Sequence, residues 1–183
     1  IRGENLASRK GESTLGGGGG GGGGAGGGGG HTAAIFVLAV CGDAPVLASG
    51  SRDHSIRLWD VQTLECKGAL GSAKGPAHID GVTSFACVAN QLYSGSRDCS
   101  IKHWSLGSCE LYKTAHRAHD DWVCSLAASE AARLLVSGGG KTGRIKLWRL
   151  GSLEYVGVLD GHANAVNRLV FHEGAILSAS SDR

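Results

Sequence analysis

The sequence predicts an all-β protein built from successive antiparallel sheets, and three observations carry that expectation. Ser49-Gly50-Ser51-Arg52-Asp53 returns 45 positions later as Ser94-Gly95-Ser96-Arg97-Asp98, with degenerate copies at Ser137-Gly138-Gly139 and Ser178-Ala179-Ser180-Ser181-Asp182. A short alternating run closed by Trp follows the first three copies: Ser55-Ile56-Arg57-Leu58-Trp59, Ser100-Ile101-Lys102-His103-Trp104 and Arg144-Ile145-Lys146-Leu147-Trp148. Those Trp stand 45 and 44 residues apart. Between these markers lie short apolar runs such as AIFVLAV and AVNRLVF, separated by Gly, Asp, Ser and Asn, with no sustained helical period. A fixed period of this length marks a repeat architecture, in which no unit buries its apolar face alone.

A second marker keeps step with the first. His is followed four residues later by a β-branched residue at His31/Ile35, His78/Val82, His119/Val123 and His162/Val166. The units therefore run over about 31–77, 78–118, 119–161 and 162–183, and the last stops before its Trp strand. The expectation is an incomplete array of three full units and part of a fourth, with the chain as a fragment of a longer protein. Residues 1–30 stand apart. Of 32 Gly in the 183 residues, 14 lie between Gly16 and Gly30, interrupted only by Ala25. Such a tract has no side chains to bury and the largest backbone entropy to lose, so it is expected to be a disordered low-complexity segment.

Composition narrows the function. Eighteen basic against 16 acidic residues argue against a partner recognised through bulk positive charge, so neither specific nucleic-acid binding nor a lipid-headgroup surface is expected. No apolar run approaches the roughly 20 residues of a membrane helix, and no membrane insertion is expected. The six Cys (Cys41, Cys66, Cys87, Cys99, Cys109, Cys124) are dispersed without a CxxC pair. They read as small hydrophobes of a reducing, cytoplasmic compartment rather than as a disulfide scaffold.

Several patterns imitate chemistry. Gly138, Gly140 and Gly143 match GxGxxG, but RIKLW follows, a strand where a dinucleotide site needs a helix. GGGKTG suggests a phosphate loop, yet the position five before Gly140 is Leu135. Ser, His and Asp co-occur in each intact unit, but a hydrolase needs one exposed nucleophile and an oxyanion hole, not identical copies. Cys109, His116, His119 and Cys124 have no structural-zinc spacing. No catalytic residue, cofactor or metal is expected.

The GH marker, the turn Asp and the closing Trp at a period of about 40–45 residues together resemble the WD-repeat β-propeller, whose units are four-stranded blades around a channel. The resemblance implies a buried hydrogen-bonded chain of His, Ser, Asp and Trp in each blade. Carried over, these are His31, Ser49, Asp53 and Trp59 in the first blade and His78, Ser94, Asp98 and Trp104 in the second. His119 and Trp148 remain in the third, where Gly139, Gly140, Lys141 and Thr142 replace the Arg-Asp turn; that blade is expected to be the loosest. His162 and Asp182 stand in the fourth. Arg52, Arg97, Lys141 and Arg144 occupy strand turns, where they either line a binding face or serve as ordinary solvated turn residues.

Less generic segments, HIDGV, AHDDWVCSL and DGH with Val166-Asn167, are similar in order and spacing to the last blades of the C-terminal propeller of a kinesin subfamily. Its members are plus-end-directed motors that restrain microtubule growth. The resemblance implies a non-catalytic cytoskeletal scaffold contacting tubulin or cargo adaptors, since no motor signature is present. The alternative is a WD-repeat adaptor of another assembly, such as a ubiquitin-ligase substrate receptor.

Overall fold

The computed structural model describes residues 29–42, 46–71 and 76–182, so the expectation for residues 1–30 falls outside the described residues except at 29 and 30. Fourteen strands and no helix are found among the described residues. The first sheet holds β1 (Ile35–Cys41), β2 (Val46–Ser51), β3 (Ile56–Asp60) and β4 (Cys66–Leu70). The second holds β5 (Val82–Val88), β6 (Gln91–Ser96), β7 (Ile101–Ser105) and β8 (Leu111–Ala115). The third holds β9 (Val123–Ser129), β10 (Leu134–Gly139), β11 (Ile145–Arg149) and β12 (Tyr155–Leu159), and a two-stranded sheet pairs β13 (Val166–His172) with β14 (Ala175–Ser180). Every sheet is an antiparallel meander in sequence order.

Register repeats as faithfully as sequence. Ile35 faces Ser51, Val82 faces Ser96, Val123 faces Gly139 and Val166 faces Ser180, each followed by a register shift. The first strands of neighbouring sheets pack together, β1 on β5, β5 on β9 and β9 on β13. The sheets thus fan outward from a line of inner strands. The core lies between sheets: Ile56, Leu70, Val82, Leu92 and Trp104 fill the first gap. Tyr93, Val123, Leu135 and Trp148 fill the second, and Val136, Ile145 and Val166 fill the third. Adjacent residues of one strand therefore serve opposite gaps, Leu92 the first and Tyr93 the second. That is why β6 and β10 are buried almost throughout instead of alternating.

The Gly of the Ser-Gly-Ser motif has a packing reason. A Cβ on Gly95 would stand 2.5 Å from both Ser84 Oγ and Val123 Cγ1, the latter on the next sheet. Gly95→Ala should therefore cost roughly 1–3 kcal/mol by overpacking, read from the denaturation midpoint. A midpoint equal to the parent's would refute this close approach. Side chains also bond across the gaps: Thr83 Oγ1 donates to the Val123 carbonyl at 2.5 Å and Ser125 Oγ to the Val166 carbonyl at 2.9 Å.

The cysteines depart from expectation at one place. Cys41 at the end of β1 and Cys87 in β5 are joined in a disulfide between adjacent sheets, while Cys66, Cys99, Cys109 and Cys124 are free. Covering is uneven at the ends of the array. On β1, Leu38 and Val40 are exposed, as are Val170 on β13 and Leu177 on β14.

Candidate functional site

One end of the sheets carries the chain entry into each inner strand and the turn between the second and third strands. In the second sheet, four side chains run as a relay into that end. Trp104 Nε1–H donates to Ser94 Oγ at 2.8 Å, and Ser94 Oγ meets His78 Nε2 at 2.8 Å. His78 Nδ1 stands 2.8 Å from Asp98 Oδ2. A carboxylate only accepts, so Nδ1 carries the proton and Nε2 accepts from the Ser hydroxyl. Asp98 also takes the Ile79 N–H at 3.1 Å and both the N–H and hydroxyl of Ser100, at 2.9 and 2.6 Å. Burial alone would raise its carboxyl, but the hydrogen bonds from His78, Ser100 and Ile79 outweigh that and hold it well below the usual carboxylate range.

The first sheet repeats the arrangement. Trp59 donates to Ser49 at 2.7 Å, Ser49 meets His31 at 2.7 Å, and His31 Nδ1 stands 3.0 Å from Asp53. Ser55 occupies the place of Ser100 and donates to Asp53 at 2.5 Å. In the two-stranded sheet His162 bridges Ser178 and Asp182 at 2.8 and 2.9 Å. Ser55, Ser100, Ser137 and Ser178 are members that the sequence reading did not assign.

The third sheet differs. Trp148 donates to Ser137 at 2.8 Å and Ser137 meets His119 at 2.7 Å, but the buried His119 Nδ1 has no partner among the described residues. The turn itself is tied from a different direction. Asp121, two residues after the His, turns its carboxylate onto the amides of Gly140, Lys141 and Thr142 at 3.0, 2.6 and 2.9 Å. Successive amides in such a turn make an anion-binding concavity. The phosphate-loop look-alike is thus a real nest, and its anion is a side chain of the same chain. Gly143, with φ of 67°, sits where the other turns force His54 and Cys99 to φ of 71° and 65°.

The turns held this way present the four candidate cations. Arg52 is exposed, with no side-chain partner among the described residues. Arg97 lies between two aromatic rings, 4.7 Å from the centroids of both Phe36 and Trp122. Lys141 stands 5.9 Å above the other participant, Trp122. Arg144 is engaged elsewhere, at 3.6 Å from Asp120 and 3.4 Å from Asp160. Cys109, His116, His119 and Cys124 do not converge: no group of three or more such ligands gathers among the described residues.

A family profile described as "WD domain, G-beta repeat" matches residues 28–60, 72–105 and 109–149, more than half the chain. The chain belongs to the WD-repeat family. Among its curated relatives, kinesin-like protein KIF21B of Homo sapiens is 33% identical over 158 residues, covering 83% of this chain and 10% of that protein. Kinesin-like protein KIF21A of Homo sapiens is 32% identical over 143 residues, covering 75% and 8%. Transducin beta-like protein 3 of Mus musculus is 29% identical over 158 residues, covering 77% and 19%. The chain therefore spans about a tenth or less of the kinesin-like relatives. Among solved structures, the RRP9 WD40 repeats share 30% identity at a TM-score of 0.75, over 82% of this chain and 46% of that one. The computationally designed Ika4 protein shares 27% at 0.70, over 83% and 88%. The WD-repeat assignment fixes the architecture as a β-propeller arc, three blades and part of a fourth. Such propellers are in general protein-interaction scaffolds.

The WD relay also sets a pH response. Burial pushes the His119 imidazole down to about 4, helped by Lys146 and opposed by Asp121, Ser137 and Asp120. An unfolded His titrates near 6.5. Between those values the unfolded chain binds the proton more readily, so this contribution is whole above about pH 6.5 and lost as pH falls toward 4. The loss is on the order of 3 kcal/mol. Burial also pushes His78 and His103 down, which adds in the same direction. Asp53 and Asp98, held low, matter only below about pH 4. Urea midpoints should fall steadily from pH 7.5 to 4.5, and less steeply in His119→Gln. Parallel curves for parent and variant would remove His119 as the cause.

Proposed function

We propose that the chain is a non-catalytic protein-binding segment of a kinesin-like tail propeller, acting on microtubules or cargo in the cytoplasm. The observation that carries this reading is the 32–33% identity to the kinesin-like proteins over most of the chain, against 29% for transducin beta-like protein 3. The physical support is the end of the blades just described. Relays buried in the sheets fix the turns, and this end holds out arginines and aromatic rings, residue types enriched in protein interfaces. Nothing in this reading asks the chain to hydrolyse ATP. Sedimentation with polymerised tubulin tests it: the chain should pellet with the polymer and stimulate no nucleotide turnover. A chain left in the supernatant at micromolar polymer would shift the reading to the second one, an adaptor of another assembly. The matches to transducin beta-like protein 3 and to CCR4-associated factor 4 homolog of Candida glabrata, 27% identical over 162 residues, favour that second reading.

A further inference from the structure

We propose that Arg97, clamped between Phe36 and Trp122, is the carboxylate-receiving centre for an acidic peptide segment of a protein partner. The proposal rests on the protein-binding reading above and adds the chemistry of what is bound. Three blades build the centre. Phe36 comes from the start of β1, Arg97 from the turn after β6, and Trp122 from the residue before β9. Their places are fixed by the repeat, because the amide of each turn residue bonds the carbonyl just ahead of its inner strand: Arg52 to Ala34, Arg97 to Gly81 and Gly140 to Trp122. Gly81 keeps the approach open, since a Cβ there would stand 3.0 Å from the Phe36 ring.

Contact with two rings restrains the guanidinium, and Nε is buried without a hydrogen-bond partner among the described residues. The Nη groups have no acceptor among the described residues and are not buried with Nε. A planar fork so restrained, with its amino edge free, suits a bidentate carboxylate. The carboxylates on the neighbouring turns are directed to donors of their own. Asp53 and Asp98 are bonded to His31 and His78, and Asp121 is filled by turn amides. Asp120 and Asp160 share Arg144, and Asp80 accepts from the Gly81 amide at 2.5 Å. Arg52, Arg97 and Lys141 are left without a carboxylate among the described residues. Around them Phe36 is 38%, Trp122 42% and Ile79 82% exposed, so the fitting segment carries apolar residues between its acids.

The structure also supplies the reporter. Of the four Trp, Trp122 alone is exposed, while Trp59, Trp104 and Trp148 are buried. The full chain is titrated with a labelled Glu-Glu-Leu-Glu-Glu-Leu-Glu-Glu peptide, following anisotropy and acrylamide quenching of Trp fluorescence. Binding should protect Trp122 from quenching and weaken as salt rises. Arg97→Gln and replacement of every Glu by Gln should each weaken it about tenfold or more, and Arg97→Lys nearly as much because the fork is lost. Arg52→Gln with Lys141→Gln, both exposed and without folding consequence, should weaken it several-fold, and Arg149→Gln at the opposite end should not. Equal binding of the Glu and Gln peptides, or equal binding of an oligonucleotide of the same charge, would overturn the proposal. So would full affinity in Arg52→Gln with Lys141→Gln, even if Arg97→Gln failed to fold. Microtubule pelleting that survives all these variants would leave the protein-binding reading standing and remove only this centre.

Discussion

Asp98→Ala should lower stability by roughly 2–4 kcal/mol, the largest loss expected from a single side chain outside the apolar core. Its carboxylate takes four donors, from His78, Ile79 and twice from Ser100, and its side chain is only 4% exposed. Removing it leaves the His78 Nδ1–H unpaired in a buried relay. That in turn frees the imidazole to turn away from Ser94 and deprives the Trp104 indole of an oriented acceptor. Asp98→Asn keeps the shape but sets an NH2 against donors, so it should recover only part of the loss. Arg52→Ala is the fitting control, exposed and without a side-chain partner, and should stay within about 0.5 kcal/mol. If urea midpoints of Asp98→Ala and Arg52→Ala coincided, the relay would be a geometric accident with no energetic weight.

The second large effect is expected at Asp121. Asp121→Ala removes the acceptor of three successive amides in the Gly139–Gly143 turn and should cost about 2–3 kcal/mol. Its neighbour gives an internal comparison. Asp120 is 73% exposed and meets the half-exposed Arg144 at 3.6 Å, so Asp120→Ala should change stability by less than about 0.5 kcal/mol. Because the nest admits an anion, sulfate at high concentration should restore part of the stability of Asp121→Ala. A variant as stable as the parent, with no response to sulfate, would show that the glycine-rich turn holds itself.

These two positions also show what was legible in the sequence and what was not. Asp98 was legible through the resemblance: the recurring His, Ser, Asp and Trp resemble the WD-repeat pattern, which implies their bonding, and the structure brings the four together. Asp121 was not, because it approaches the turn from the His side, 20 residues before Lys141, while the other blades place their Asp inside the turn. A missing residue in one unit was readable; its replacement by a residue from another loop was not. Phe36 was hidden differently. In AIFVLAV it reads as one more apolar strand residue, and only the neighbouring blade's Arg97 gives it a second role. Arg97 and Arg52 share a sequence context, yet one lies against two rings and the other has no side-chain partner among the described residues. The Cys41–Cys87 link crosses two units with a separation of 46, so no local spacing announced it.

The uncovered residues of the first and last sheets have a thermodynamic consequence. Leu38 and Val40 at one end and Val170 and Leu177 at the other are 43–63% exposed apolar side chains on inner or second strands. Whatever covers them, a further blade or another copy of the chain, removes apolar surface from water at about 25 cal/mol per Å2. Covering by a second copy is linked to folding by mass action, so the melting temperature should climb with protein concentration. The stability of this arc is then a property of the population as much as of the single molecule.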